Sequence, residues 1–225
     1  YAPVSSSGYQ SLLKINSNQT FQKESDDLEN SILAYRFYQI NPFETKIIYI
    51  KTTVQVSHSS QSKKLSEMFL LPEKYIESND IKIKQKAKTL KQHTDYDTSK
   101  KIHLWVANHI KYSGYIKNDR GALWAFINRK GDCTEYMYLF VALCRAVGIP
   151  ARGIAGYVVA DNKNVFATDY HNWAECYIDG QWRVADPQQR KYMKNEDQYI
   201  AMRIISHKKR IQSGIFIGID APAID

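Results

Sequence analysis

An α+β fold is what this sequence predicts: a strand-rich opening third, a helical middle, then a return to strands. Three observations carry it. Between Ile32 and Leu71, β-branched and aromatic residues cluster in short runs broken by Asn41-Pro42. From Asn79 to Val147, apolar residues recur at helical spacing. After Gly148-Ile149-Pro150 the pattern turns back to strands and ends in a hairpin signal. Helices followed by a sheet, rather than alternating with it, suit an α+β domain. The 225 residues accordingly divide into a β-rich N-terminal segment, 1–78, and a main domain, 79–225.

The elements follow in order. The first thirty residues are rich in Ser, Asn and Gln, with a helical hint from Asp26 to Leu33. Ala34 to Ile40 alternates and reads as a strand, Lys46 to Val56 as a second, and Met68 to Leu71 before Pro72 as a third. Asn79-Asp80 caps a helix with Ile83, Ala87 and Leu90 on one face and lysines elsewhere. Asp97 is the expected cap of a second helix, whose Ile102, Trp105, Val106, His109 and Ile110 form one stripe. A short helix covers Ala122 to Asn128 and ends at Lys130-Gly131. Thr134 to Val147 is apolar on nearly every side, so it should be a central buried helix, closed by Gly148. Ala151 to Ala160 reads as a strand, and His171 to Ala185 as a hairpin turning at Asp179-Gly180.

Composition removes several classes. Apolar residues at 44% and charged residues at 24% are globular values, which excludes disorder and collagen. No run of eighteen apolar residues exists, so no membrane span is expected. The net charge of +8 reads as a solvated lysine face. Lysines at 82, 84, 86 and 88 are spread around a helix with no interleaved aromatic motif, so no nucleic-acid partner is expected. There is no Cys-x-x-Cys, no His-x-x-x-His, no EF-hand loop and no Gly-rich phosphate loop; neither a metal nor a cofactor is expected. His103 and His109 fall on different helix faces. Three cysteines are too few for a disulfide scaffold, and their odd number suits a free thiol. A chain that begins without Met, at a small-residue-rich segment, favours a secreted or periplasmic setting.

Chemistry gathers between Gly131 and Gln188. Cys133 follows Gly131-Asp132 at a helix start, where free N–H groups and the positive dipole end favour an anionic sulfur. Alone, such a cysteine is as readily structural as reactive. Cys144 lies inside the apolar helix and Cys176 inside a strand, as small core residues do. The hairpin adds the rest. With a two-residue turn at Asp179-Gly180, Ile178 faces Gln181 and Trp173 faces Asp186. His171 and Asp186 then share a face one diagonal step apart, within reach of an imidazole–carboxylate bond. Glu175 lies on the same face and is a rival partner, ranked second because a same-strand neighbour at i+4 is farther away. Together Cys133, His171 and Asp186 spell a nucleophile, a base and an orienting acid.

These residues resemble a known family. Gly131-Asp132-Cys133, the run Leu139 to Arg152, His171-Asn172-Trp173-Ala174-Glu175 and Trp182 to Pro187 are similar, in that order, to the core of the transglutaminase-like superfamily. The resemblance covers Thr98 to Tyr199 and points to bacterial members of the cysteine-protease type. It implies a papain-like core, a central helix on an antiparallel sheet, with the β-rich segment as the small β-domain that precedes it in some bacterial members. It also implies that Cys133 is the nucleophile, His171 the base and acid, and Asp186 the orienter. Asn172 stands where the family commonly has a small residue; by parity it points away from the other three and is not expected to matter. The Cys133 N–H is one oxyanion donor candidate. A side chain such as Trp124 or Asn128 is a candidate second donor, but core packing for Trp124 and helix capping for Asn128 are the favoured roles. The implied activity is cysteine acyl transfer on amide bonds of a protein, peptide or acyl-amide substrate, with hydrolysis first. Amide formation, or an inactive domain used for binding, are the alternatives.

Overall fold

In the computed structural model, residues 1–4, 10–38, 40–56, 67–160 and 164–206 are described. Strands β1 (Gln10–Ser17), β2 (Gln22–Ser25), β3 (Ser31–Ala34) and β4 (Ile50–Val56) come first, with β1 paired to β4 and β2 to β3, both antiparallel. The N-terminal third is thus β-rich, and β4 lies within the run Lys46 to Val56 read as a strand, but β1, β2 and β3 lie elsewhere than the sequence pattern suggests. Asp26 starts a turn and not a helix: its Oδ1 accepts the N–H of Leu28 and of Asn30, a local bonding pattern that competes with helix. The strand expected over Ala34 to Ile40 ends at Ala34, and Gln39 lies outside the described residues. Met68 to Leu71 is no strand: Glu67–Leu70 forms a 3-10 turn that sets Phe69 edge-on to Trp182 with centroids 5.1 Å apart.

The helices start where short polar side chains can take their free N–H groups. Asp80 accepts from Lys82 and Ile83 and begins α1 (Ile81–Leu90), with Ile83, Ala87 and Leu90 buried. Helix α2 (Asp95–His109) is capped by Thr94, three residues before its Asp97, whose N–H the threonine hydroxyl receives at 3.0 Å. Both residues are cap formers; the hydroxyl three residues upstream is the one placed to accept. Strand β5 (Lys111–Tyr112), helix α3 (Ala122–Asn128) and strand β6 (Lys130–Gly131) lead to α4 (Cys133–Ala146), with β5 and β6 parallel. Every residue of α4 from Glu135 to Arg145 is buried. Truncating Phe140 to Ala there would cost about 3–5 kcal/mol.

After Gly148, at φ 87°, the chain builds β7 (Ala151–Val158), β8 (Tyr170–Ile178), β9 (Gln181–Asp186), β10 (Lys191–Tyr192) and β11 (Tyr199–Ile205). They form one antiparallel sheet in the order β10-β9-β8-β7-β11. Asp179 and Gly180 both have positive φ, 50° and 82°, the two-residue turn whose twist matches a hairpin. Ile178 faces Gln181 and Ala174 faces Ala185, the register read from the sequence. One face of the sheet packs small residues Ala151, Ala174, Cys176 and Ala185 under α4. The opposite face gathers Ile154, Trp173, Val184 and Tyr199 with Val4 and Phe69.

The N-terminal segment is joined to this sheet through side-chain amides that imitate a strand. Gln10 donates to the Ala201 carbonyl at 2.9 Å and accepts its N–H at 2.9 Å. Asn30 does the same with Ile204, at 2.8 and 2.7 Å. They occupy hydrogen-bonding groups along the β11 edge, which would otherwise template pairing with another chain.

Candidate active site

Cys133 is the first residue of α4, and its neighbours fix that start. Asp132 accepts the N–H of Thr134 at 2.8 Å, and Glu135 accepts the N–H of Asp132 at 3.1 Å, a reciprocal capping box. A side chain at Gly131 would collide with the Glu135 side chain, so only glycine fits there. The same carboxylates reach sideways: Asp132 Oδ2 accepts from the Ile116 N–H at 2.8 Å and Glu135 Oε1 from the Arg120 N–H at 3.1 Å. Burial drives the Glu135 carboxyl up, against these backbone bonds, to about 7. The helix start that presents the sulfur is therefore anchored on two sides.

His171 lies near the start of β8, where that strand meets the start of α4. Its Nε2 is 2.8 Å from Asp186 Oδ2, which leaves Nδ1 for the sulfur. Burial pulls the imidazole pKa down, but the hydrogen bonds to Asp186 and then to Cys133 outweigh it, and the group is pushed up to about 9. Asp186 ends β9 fully buried. The three residues singled out from the sequence are thus brought together, one from a helix start and two from adjacent strands. Glu175, the rival acid, instead pairs with Arg152 across the sheet: Arg152 Nη2 is 2.6 Å from Glu175 Oε2.

Other contacts here were not read from the sequence. Tyr199 donates its hydroxyl to Asp186 Oδ2 at 3.0 Å, and the Gln189 N–H donates to Oδ1 at 3.0 Å. His103 Nε2 lies 3.1 Å from the Asp186 carbonyl oxygen, and burial lowers the pKa of this imidazole, so the neutral ring donates. Tyr199 and His103 are distant from Asp186 in sequence and carry no motif, whereas Gln189 is three residues on. Asn172 does point away from His171, as parity requires, but it does not stand idle: its Nδ2 donates to Thr134 Oγ1 at 2.8 Å. Trp124 packs against the core, and Asn128 donates to the Trp124 carbonyl at 2.9 Å. Neither lines the cleft beside Cys133.

That cleft has a volume of about 310 Å³. Tyr112, Thr168, Asp169, Tyr170 and Gln188 line it, with Cys133 and His171. Despite the net charge of +8, no Lys or Arg is among the described residues that line it. No helix among the described residues is long and apolar enough to cross a membrane.

A buried helix that begins at a cysteine, packed on an antiparallel sheet that presents histidine and aspartate, is the transglutaminase-like α+β fold. Comparison with known proteins agrees. Residues 84–187 match the profile of the Transglutaminase-like superfamily, and this stretch is a transglutaminase-like domain. A 103-residue stretch is 27% identical to human kyphoscoliosis peptidase and 26% identical to the mouse protein of that name. The match takes in 42% of this chain and 16% of the length of each relative. In fold, the chain is similar to a solved structure of a candidate cysteine protease from Cytophaga hutchinsonii, with a TM-score of 0.62 and 22% identity, over 87% of this chain and 71% of the other.

Proposed function

We propose that this protein is a cysteine-dependent acyl-transfer enzyme that cleaves amide bonds, with Cys133 as nucleophile, His171 as base and acid, and Asp186 as its orienter. The observation that carries the reading is the 2.8 Å His171–Asp186 bond with Cys133 on the imidazole's other side. Support also comes from the relatives, which bear the names of a peptidase and of a candidate cysteine protease. Residues 79–225 are read as the unit that carries the reaction, with the β-rich 1–78 as its companion.

The chemistry follows from the atoms present. Cys133 Sγ, its proton held by His171, attacks the amide carbonyl. The Cys133 N–H, at a helix start, is aimed where the oxyanion develops. The tetrahedral adduct expels the amine, which takes its proton from His171, and a thioester remains. Water, deprotonated by the same imidazole, then releases the acid and frees the thiol. An amine in place of water would give a new amide instead.

Protein or peptide amides are the substrate class. A peptide library incubated with the protein, with and without an added primary amine, and weighed by mass spectrometry tests both outcomes. Two fragments whose masses sum to the peptide plus one water identify hydrolysis; two that sum to the peptide plus the amine, or an uncut glutaminyl peptide heavier by the amine less ammonia, identify transfer. Cys133→Ala should abolish either. A variant as active as the parent would overturn the assignment, and a parent without turnover whose Cys133 alkylates no faster than an ordinary thiol would make the domain a binding module.

A further inference from the structure

We propose that Tyr199 is a positioning residue that acts through Asp186: by sharing Oδ2 with His171 it fixes that oxygen and limits the carboxylate's hold on the imidazole. The inference rests on the reading of Cys133, His171 and Asp186 given above. It begins with a coincidence of donors. Asp186 Oδ2 accepts both the His171 Nε2–H at 2.8 Å and the Tyr199 hydroxyl at 3.0 Å, while Oδ1 accepts the Gln189 N–H at 3.0 Å. The carboxylate cannot turn without breaking one of these bonds, and its charge is divided among three donors.

Tyr199 is built to hold that place. It opens β11, is fully buried, and pairs with Val158 across the sheet. Its ring meets Trp173 edge-on, with centroids 5.1 Å apart, and Trp173 lies nearly parallel to the His171 ring, at 26°. Trp173 is itself seated over a glycine: a Cβ at Gly156 would come within 2.8 Å of its Cη2. A buried aromatic column thus runs from the imidazole to the phenol that reaches back to the same carboxylate. Packing alone needs only the ring, and phenylalanine would supply it. The hydroxyl is there for Asp186, and burial, aided by that carboxylate, pushes its own ionisation up, so it remains a donor.

Other titratable groups adjoin this assembly. Cys133 reaches it from α4, and His103 from α2 through the Asp186 carbonyl. Lys191, on β10, sits 5.9 Å from the Tyr199 ring centre, and Tyr112, Asp169 and Tyr170 line the cleft. Tyr199→Phe alters none of these side chains. It removes one donor from Oδ2, and a carboxylate with fewer donors holds a neighbouring imidazolium more tightly.

The test needs no substrate. His171 is titrated by side-chain nitrogen NMR in the full chain, parent and Tyr199→Phe, with thermal unfolding of both recorded. The expected result is a midpoint above the parent's by about half a pH unit or more, with the protein still folded. An unmoved midpoint beside a lowered unfolding temperature would make Tyr199 a packing residue and overturn the proposal, as would a midpoint that falls. Iodoacetamide labelling of Cys133 in parent and His171→Ala separates the two readings. If His171→Ala slows labelling and Tyr199→Phe leaves the midpoint unmoved, only the Tyr199 inference fails. If His171→Ala leaves labelling unchanged, the pairing of Cys133 with His171 fails, and the role of Tyr199 with it.

Discussion

Arg152 and Glu175 face each other across β7 and β8, with Nη2 and Oε2 2.6 Å apart, while Asp186 takes the imidazole of His171 at 2.8 Å. Two buried carboxylates on one side of the same sheet therefore have different partners. Glu175 helps to hold Arg152, whose guanidinium lies 4.0 Å from the centre of the Trp182 ring. Asp186 faces the cleft histidine.

Opposite phenotypes are expected for the two carboxylates. Asp186→Asn should lower kcat by about 10³-fold or more, because the amide disturbs the tautomer and orientation of His171, with a small change in unfolding temperature. Glu175→Gln should lower kcat much less and stability more, by about 3 kcal/mol, because it leaves a buried guanidinium without its counter-charge. Denaturant unfolding and steady-state kinetics on the two variants check this ranking. The reverse order would mean that the wrong carboxylate faces the base.

The hairpin explains how this much was legible beforehand. Asp179-Gly180 permits one tight turn, that turn permits one register, and the register places His171 beside Asp186. Cys133 was legible because Gly131 and Asp132 mark a helix start. The Tyr199 and His103 contacts were not, because they join Asp186 to β11 and α2 by tertiary packing, which leaves no local pattern. The N-terminal strands other than β4 are less legible for a related reason. In β1 the described side chains are mostly exposed or half-buried, so no strong alternation marks them, and Asp26 bonds its own backbone in a way that a propensity reading takes for a helix start.

Asn172 and Thr134 form a strut between β8 and the first turn of α4, and they should be coupled. Asn172→Ala and Thr134→Val remove the same 2.8 Å hydrogen bond. Their effects on stability should fall short of additive by about 0.5–1.5 kcal/mol, measured by a double-mutant cycle in urea. Because Thr134 adjoins Cys133, each single variant should also slow alkylation of that thiol by a few-fold. Full additivity would mean that the strut contributes nothing.

Two buried groups should make the protein less stable as pH rises, in successive windows. The Glu135 carboxyl is raised to about 7, so the folded state keeps a proton that the unfolded chain releases near 4.5. Stability is lost as pH climbs between these values. His171 is raised to about 9. Its contribution is complete below about 6.5, the unfolded value, and disappears as pH rises through 9. Each amounts to about 1–3 kcal/mol. Urea midpoints from pH 4 to 10 should decline through both windows. Glu135→Gln should flatten the first and His171→Ala the second; a slope unchanged in either variant refutes that assignment.

The three thiols should separate cleanly in reactivity, and the reason is their surroundings. Cys144 is fully buried in the interior of α4, and burial pushes its thiol well above the ordinary range. Cys176 is fully buried on the sheet face under that helix, and burial raises it to about 12. Only the thiolate attacks an alkylating reagent, so both should be slow at neutral pH, and access delays them further. Cys133 lines the cleft, partly exposed, beside an imidazole that stays protonated to about 9. An imidazolium within hydrogen-bond reach stabilises the sulfur anion it faces. Limiting iodoacetamide followed by peptide mass mapping should therefore place nearly all label on Cys133 at pH 7, and none of consequence on the other two until the protein unfolds. Replacing His171 should slow Cys133 by about tenfold or more while leaving Cys144 and Cys176 where they were. Equal labelling of all three thiols in the folded protein, or a Cys133 that ignores the loss of His171, would remove the sulfur from the role assigned to it.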